Sequence, residues 1–302
     1  MLEKTSAIWL NLHLGLIKKD FMETIIGLGT AGCNVAEAFL EHSQYDVYRI
    51  DTRKRTGKKF KLFPKCKTHE EYEKKCPSLK TFFKNAKPPY LFVLSGASEV
   101  SGASLRVMEQ LNSRDLYVLY LRPDVSLLSG PKKKQERTVF QVLQQYARSA
   151  VFKKMYVIDN VRLGQIIKDA PIIGYYEKLN NFLVSTLHMI NYCNNIEPEL
   201  ETYDEPVAPA AIATIGLGNL ETGEEEMFFT LQNPREKIYH YMINKQKLQS
   251  QSDLLKRITD RARSRMEGGK VQVSFGIYST DYDEDYVYVV SSASLIQDEI
   301  IS

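Results

Sequence analysis

Apolar runs separated by small and polar residues set out the elements of this chain. Thr24–Leu28 is a short apolar run that leads into Gly29-Thr30-Ala31-Gly32, and residues 34–41 then have helical spacing. A second run, 47–50, ends at Asp51. A third, Tyr90–Leu94, is followed by a Ser/Gly loop and a helix over about 105–111. The run 116–121 is stopped by Arg122-Pro123; residues 136–150 are spaced as a helix and 155–158 as a strand. Strands alternating with helices predict an α/β fold, a parallel sheet with helices on both faces. In such sheets ligands bind at the carboxyl ends of the strands.

Residues 176–193 carry Leu179, Leu183, Leu187 and Ile190 at intervals of three or four. That spacing predicts a central helix of about five turns, ~27 Å at 1.5 Å per residue. Pro198, Pro206 and Pro209 break it, and strands are expected at 211–215 and 227–231, then a polar helix over about 252–266. Strands at 271–278 and 286–291, joined by the acidic turn 281–285, complete a smaller α+β domain. The expected organisation is a nucleotide-binding domain over 22–175, the central helix over 176–195 and the α+β domain over 196–302. Residues 1–21 form an N-terminal extension whose Ile8, Trp9, Leu10, Leu12, Leu14, Leu16 and Ile17 suit a short amphipathic helix.

Composition changes this picture little. With 43% hydrophobic and 25% charged residues among 302, the chain reads as an ordinary globular protein. No apolar run approaches the ~18 residues of a membrane span. Four scattered cysteines show no metal-ligand spacing, and with no secretory signal a cytoplasmic location is expected. A net charge of +3 does not argue for nucleic acid. The basic residues are uneven, however: Arg53, Lys54, Arg55, Lys58, Lys59, Lys61, Lys65 and Lys67 have no acid among them. Such a run is either a solvated loop or a docking segment for an anionic or adaptor partner.

Gly27-x-Gly29-x-x-Gly32 follows a strand and opens a helix, and Asp51 ends the next strand, which satisfies a dinucleotide-binding fingerprint. Glycines let backbone N–H groups approach a phosphate, and the helix dipole favours the anion. Asp51 suits a ribose hydroxyl. A second small-residue loop, residues 95–104, leaves the next strand and also opens a helix. Two cradles suit a triphosphate better than a dinucleotide.

The order and spacing of these motifs resemble the FtsZ/tubulin family over roughly residues 22–292. Gly29, Thr30, Ala31, Gly32, Cys33 and Asn34 resemble its first glycine loop. Ser98, Glu99, Val100, Ser101, Gly102 and Ala103 take the place of its glycine-rich signature loop. Arg122-Pro123, Ser129-Gly130 and Lys132-Lys133-Lys134 resemble its sugar-binding loop, and residues 156–163, with Asn160, resemble the strand and loop before its core helix. Tyr176 falls where the family stacks an aromatic on the purine, and Asn180 and Asn181 where it reads the guanine edge. Residues 273–291 resemble its closing hairpin. The resemblance implies GTP/GDP as ligand, Mg²⁺ with the triphosphate, and a head-to-tail homopolymer. It also implies a GTPase completed between subunits by acids after the core helix. Glu199, Glu201 and Asp204 are the candidates.

The departures point to a divergent, phage- or plasmid-type member. Glu99-Val100 stand where backbone usually hugs phosphate, Ser129 where a ribose-binding glutamate is usual, and the helix after the core helix is truncated. Two further readings stay open. One is a non-hydrolysing structural or adaptor relative of the same fold. The other is an NAD-dependent Rossmann enzyme, although no catalytic His or Lys stands out for it.

Overall fold

The computed structural model describes residues 22–111, 113–168, 171–203, 210–266 and 268–297. The helix expected within residues 1–21 lies outside them. The elements run β1 (Thr24–Leu28), α1 (Gly29–Ala38), β2 (Asp46–Asp51), β3 (Phe60–Leu62), α2 (His69–Lys74), β4 (Tyr90–Leu94), α3 (Ser104–Leu111), β5 (Leu116–Arg122), α4 (Gly130–Arg148), β6 (Lys154–Asp159), α5 (Asn160–Ile166) and α6 (Tyr175–Cys193). They continue as β7 (Leu200–Glu201), β8 (Ile212–Gly218), β9 (Glu225–Met227), β10 (Glu236–Asn244), α7 (Lys245–Ser250), α8 (Leu254–Met266), β11 (Gln272–Thr280) and β12 (Tyr286–Ala293).

One sheet threads the molecule in the order β3-β2-β1-β4-β5-β6-β8-β12-β10-β11-β7, with β9 on β8. From β3 to β8 every pairing on that path is parallel. The order 3-2-1-4-5-6 is that of a doubly wound nucleotide fold, whose crevice opens where the order reverses, between β1 and β4. Both strands are buried along their whole length, as strands covered on both faces must be. Alternate residues serve opposite faces: Ile25, Leu91 and Val93 pack toward α1, α5 and α6, while Ile26, Phe92 and Leu94 pack toward α2, α3 and α4.

The central helix α6 contains no glycine or proline; it starts after Gly174, held at φ +80°, and ends at the helical cap Asn194. Its Leu179, Leu183, Leu187 and Ile190 join the core that contains β1, β4 and β5. The same core takes Met242 of β10, Tyr278 of β11 and Tyr288 and Val290 of β12, so one helix underlies both halves of the sheet. Truncating Leu183 there would cost about 2–5 kcal/mol. On the opposite face of the second half, Tyr239, Tyr241 and Ile243 pack with Leu254, Ile258 and Ala262 of α8. Lys154 of β6 crosses to Ser292 Oγ (3.2 Å) and Glu236 (3.7 Å), and burial lowers the lysine's proton affinity.

Several expected elements are corrected. The last two strands are not a hairpin. β10 lies between them, parallel to β11 and antiparallel to β12, so the acidic turn connects strands on either side of a third. The strand expected at 227–231 ends at Met227, and Phe228 and Phe229 turn into the two cores instead. Helix α4 starts at Gly130, six residues earlier than the spacing indicated, because Pro131 is pre-set for a first turn. Among the described residues no helix separates α6 from β8; β7 is there instead, paired antiparallel to β11.

Candidate functional site

The two small-residue loops face each other at the reversal point. Helix α1 begins directly after β1, capped by Leu28 with no side-chain hydrogen bond and no acid in its first turn. The first N–H groups of a helix have no acceptor within it, so those of Gly29, Thr30 and Ala31 are presented at the crevice. The glycines are required by contact. A Cβ on Gly32 would collide with Val93 O of β4, and Gly29 sits at φ +73° with Ser98 Oγ 2.6 Å from where its Cβ would be.

Opposite, a single-turn helix spans Glu99–Ala103, again with no side-chain cap at Ser98. Val100, Ser101 and Ala103 are buried and Glu99 is exposed. The carbonyls of this loop are tied back. Gln135 Nε2 of α4 donates to Gly96 O and to Ser98 O, both at 2.8 Å. Ser101 Oγ lies 2.6 Å from Ser98 O and 3.0 Å from Gly96 O. His69 of α2 stands behind Ser101, its Nε2 3.1 Å from the hydroxyl, and a Cβ on Gly102 would strike His69 O. Burial lowers the proton affinity of His69. With the hydroxyl hydrogen given to Ser98 O, Ser101 accepts from an Nε2–H.

Asp51 is turned inward. It is 1% exposed and accepts from Thr52 N (2.7 Å), Arg55 Nε (3.1 Å) and Thr30 Oγ1 (3.3 Å). Arg55 also holds Glu37 (2.8 Å) and Thr30 O (3.1 Å), and Arg49 holds the other oxygen of Glu37 (2.6 Å). The carboxylate expected at a ribose therefore anchors the basic segment over the first loop. That segment is less free than its sequence suggests: Arg55 is paired, Lys59 meets Asp46 and lies over the Tyr48 ring, and β3 is formed within it. Cys33 is buried, its thiol against Gly27 O and Ile50 O (3.4 Å each), and burial pushes it up to about 12. It serves packing, and only its backbone borders the loop.

Ser129 and Lys133 are exposed at the start of α4, where Lys133 N bonds Ser129 O at 2.9 Å. That helix start has no side-chain cap and no acid, and Lys132, Lys133 and Lys134 crowd it, an arrangement that repels cations and suits an anion. Asn160 opens α5 behind the Asp159 cap, whose carboxylate accepts from Val161 N (2.8 Å). Tyr176 is exposed on α6, edge-on to Tyr175, and Asn180 and Asn181 are half-buried one turn further on. Glu199 and Glu201 lie beyond the opposite end of α6. Both are exposed and fixed by backbone bonds, Glu199 N to Ile277 O (2.8 Å) and Thr202 N to Phe275 O (2.9 Å). Asp204 lies outside the described residues. The structure thus gathers the small-residue loops and sets the acids apart from them.

Gln135 and His69 were not found from sequence. Each acts on a loop more than thirty residues away, and no local spacing marks such a contact. Among the described residues no group of three or more His, Cys, Asp or Glu side chains is arranged to hold a metal.

No protein-family model matches the sequence, and no curated protein matches it. Solved structures do. The GDP-form protofilament of TubZ from Bacillus thuringiensis serovar israelensis matches at 16% identity and TM-score 0.65, over 90% of this chain and 87% of that one. An empty FtsZ dimer from M. jannaschii matches at 12% identity and TM-score 0.65, over 92% and 89%. A GDP-bound CetZ monomer from Haloferax volcanii matches at 14% identity and TM-score 0.68, over 91% and 94%. The chain has the tubulin/FtsZ fold, an α/β nucleotide-binding architecture continued into a C-terminal sheet. Among the solved relatives, plasmid-type TubZ stands beside FtsZ and CetZ.

Proposed function

We propose that this chain binds GTP and GDP between the 29–34 and 98–103 loops, polymerises head to tail with copies of itself in the cytoplasm, and hydrolyses GTP weakly on assembly. The observation that carries this reading is the pair of uncapped helix starts meeting at the reversal of strand order. Exposed N–H groups from two directions suit an anion of several phosphates. The lysines at the start of α4 add positive charge to the same rim. Tyr176, Asn180 and Asn181 would take the base, and Ser129 and Asn160 the sugar side. Asp51 would act on the ribose only by exchanging its present partners. Glu99, exposed within the second loop, would hold Mg²⁺ through water. The ion would supply neutralisation of phosphate charge.

Polymerisation is supported by the fold, since the TubZ structure it resembles was solved as protofilaments, and by exposed apolar side chains in the segments that follow β5 and β6 and at the start of α6. Leu127 is 81% exposed, Ile172 95% and Ile173 92%, with Tyr176 and Val161 also open. Clustered exposed apolar residues mark interaction surfaces. On this reading 22–175 is the nucleotide half, 176–195 the linking helix and 196–302 the half that meets the next subunit. No described helix is long and apolar enough to cross a membrane.

A second reading, a non-hydrolysing relative, is favoured by one observation. The segment that would carry the water-orienting acid is an edge strand held to β11. An NAD-dependent enzyme would leave the second loop and the half-buried asparagines of α6 without a role. Calorimetry with GTP, ATP and NAD, followed by electron microscopy with GTP, GDP and no nucleotide, tests the reading. Tight NAD binding, or equal ATP and GTP affinity without polymers, would reject it.

A further inference from the structure

We infer that Gln135 is a positioning residue that aims the second loop's N–H groups at the nucleotide phosphates; the inference rests on the nucleotide reading and deepens it. Gln135 approaches the 95–103 loop from α4. Its amide nitrogen has two hydrogens, and both are given to carbonyls of one loop: Gly96 O and Ser98 O, each at 2.8 Å.

A trans peptide unit is planar, with its C=O and N–H pointing in opposite directions. Holding Gly96 O toward α4 therefore turns the N–H of Ala97 away from it. Holding Ser98 O does the same for Glu99. Neither N–H has an acceptor among the described residues: the bonds made within this stretch are Ser98 N to Ser95 O (3.2 Å) and Ser101 N to Ser98 O (3.0 Å). The first loop borders this stretch, since Ser98 Oγ lies 2.6 Å from where a Cβ on Gly29 would be, and on the proposal these N–H groups serve the crevice between the two. The same tethers keep two carbonyl oxygens out of the crevice, where they would repel phosphate.

Ser101 supports the arrangement from within the loop, with His69 behind it. The Ser101 hydroxyl has one hydrogen and two carbonyls within 3.0 Å, so it satisfies one of them at a time. Gln135 is the side chain that satisfies both. This bears on the departures from the family loop. Ser98, Glu99 and Val100 have less freedom than glycines to place a peptide N–H by backbone torsion alone, and a side-chain tether supplies the orientation from outside.

The test compares three substitutions of similar length in the full-length chain. Gln135→Glu offers acceptors to two carbonyls and should reverse the tether. Gln135→Met keeps the volume without donors. Gln135→Lys restores several donors to the same place. GTP, GDP and GMP affinities are measured by calorimetry, with thermal unfolding as the check on folding. The expected result is GTP affinity weaker by about tenfold for Gln135→Met and by more for Gln135→Glu, with most of it recovered in Gln135→Lys. The loss should be greater for GTP than for GMP, because the phosphate cradle is altered and the base site is not. A general packing defect would instead lower all three affinities together and would not be rescued by lysine. Should Gln135→Glu fail to fold, the Met and Lys pair carries the same test. Unchanged GTP affinity in Gln135→Met, or equal loss in Met and Lys, overturns the inference while leaving GTP binding by the wild type standing. A wild-type chain that binds no GTP removes both readings.

Discussion

Gly29 and Ser98 meet across the mouth of the crevice: a Cβ on Gly29 would lie 2.6 Å from Ser98 Oγ and 2.9 Å from Val100 Cγ1, and Gly29 itself sits at φ +73°. The first turn of α1 and the second loop are thus packed on each other, and the distance between them is set by the absence of a side chain. Any ligand that fills both sets of N–H groups must fit that spacing.

Gly29→Ala should destabilise the fold by about 1–3 kcal/mol, since it adds a left-handed backbone strain to a steric clash. It should also abolish tight nucleotide binding by forcing the loops apart. Gly130→Ala is the control. No atom lies within 4 Å of its added methyl, so it should stay within about 0.5 kcal/mol of wild type. Urea midpoints and GTP calorimetry on both variants check the contrast.

How far the fold was legible depends on how each strand is buried. Residues 25–28, Tyr90–Leu94, 116–121 and 155–158 are unbroken apolar runs in the middle of a parallel sheet, and they stood out. β10 did not. It opens with Glu236 and Lys237 and places His240 in its middle, yet Glu236 and His240 are buried because partners reach them, Lys154 for the acid and Tyr203 (3.0 Å) for the imidazole. A strand whose polar residues are met by distant partners has no local signature. Missing it made β11 and β12 look like neighbours. The glycine loops were legible because Gly29 and Gly32 are fixed by sterics, whereas the role of Asp51 was set by Arg55, whose contact sequence spacing did not reveal.

Stability should fall as the pH drops below neutrality, and His188 is a principal reason. Its ring is buried on α6, stacked on His42 at 4.2 Å, with Tyr45 Oη 2.9 Å from Nδ1 and Asn191 Nδ2 3.2 Å from the same hydroxyl. The phenol donates to a neutral ring. Burial, and secondarily His42, lower His188 from its usual 6.5 to about 3, and burial lowers His240 to about 4. The unfolded chain takes up these protons near 6.5 and the folded chain does not, so the unfolded state binds more protons between those limits. Stability is full above about 6.5 and is lost as pH falls toward 4, by about 1.4 kcal/mol per pH unit for each such histidine. His188→Gln, which keeps an acceptor for Tyr45 without titrating, should flatten that slope by one histidine's share. Urea denaturation at a series of pH values measures it, and an unchanged slope would reject the assignment.

Gln144 should hold the end of the described chain. It is buried on α4, its Oε1 accepting from Gln297 N (2.7 Å) and its Nε2 donating to Gln297 O (3.2 Å). Gln297 in turn brackets Gln232, accepting from its N–H at 2.6 Å. Gln144→Leu leaves both backbone groups of Gln297 without these partners, at a cost of about 1–3 kcal/mol. It should also open the segment after β12 to proteases. Limited proteolysis read by mass spectrometry would show cleavage moving to this segment, and an unchanged pattern would count against the clamp.

Guanine should be preferred to adenine by about two orders of magnitude or more, because a site that hydrogen-bonds one base edge leaves buried polar groups unpaired with the other. Asn180 and Asn181, half-buried near the start of α6, are the proposed readers. Asn180→Leu and Asn181→Leu should separate them: the variant that loses GTP affinity without gaining ATP identifies the amide at the base. Selectivity unchanged in both would place the base elsewhere.

Turnover should belong to the polymer. Glu199 and Glu201 stand past the carboxyl end of α6 and the proposed base readers near its start, and the helix from Asn180 to Cys193 spans about 20 Å. A carboxylate on β7 is poorly placed for its own subunit's nucleotide across that distance, and the proposed head-to-tail stack would present it to the next subunit's. GTPase activity per molecule should therefore rise with protein concentration. Glu199→Ala, Glu201→Ala and Asp204→Ala, tested one at a time, should all retain β7, because its attachment to β11 runs through backbone groups such as Glu199 N to Ile277 O. The variant that removes the water-orienting acid should keep wild-type GTP affinity and assembly yet slow hydrolysis by about a hundredfold or more, having lost an interaction made in the transition state alone. Phosphate release followed alongside light scattering distinguishes the outcomes. A rate per molecule independent of concentration would defeat shared-site catalysis. Assembly with no phosphate release in the wild type would mean that the edge strand has replaced the catalytic segment, which is the non-hydrolysing reading.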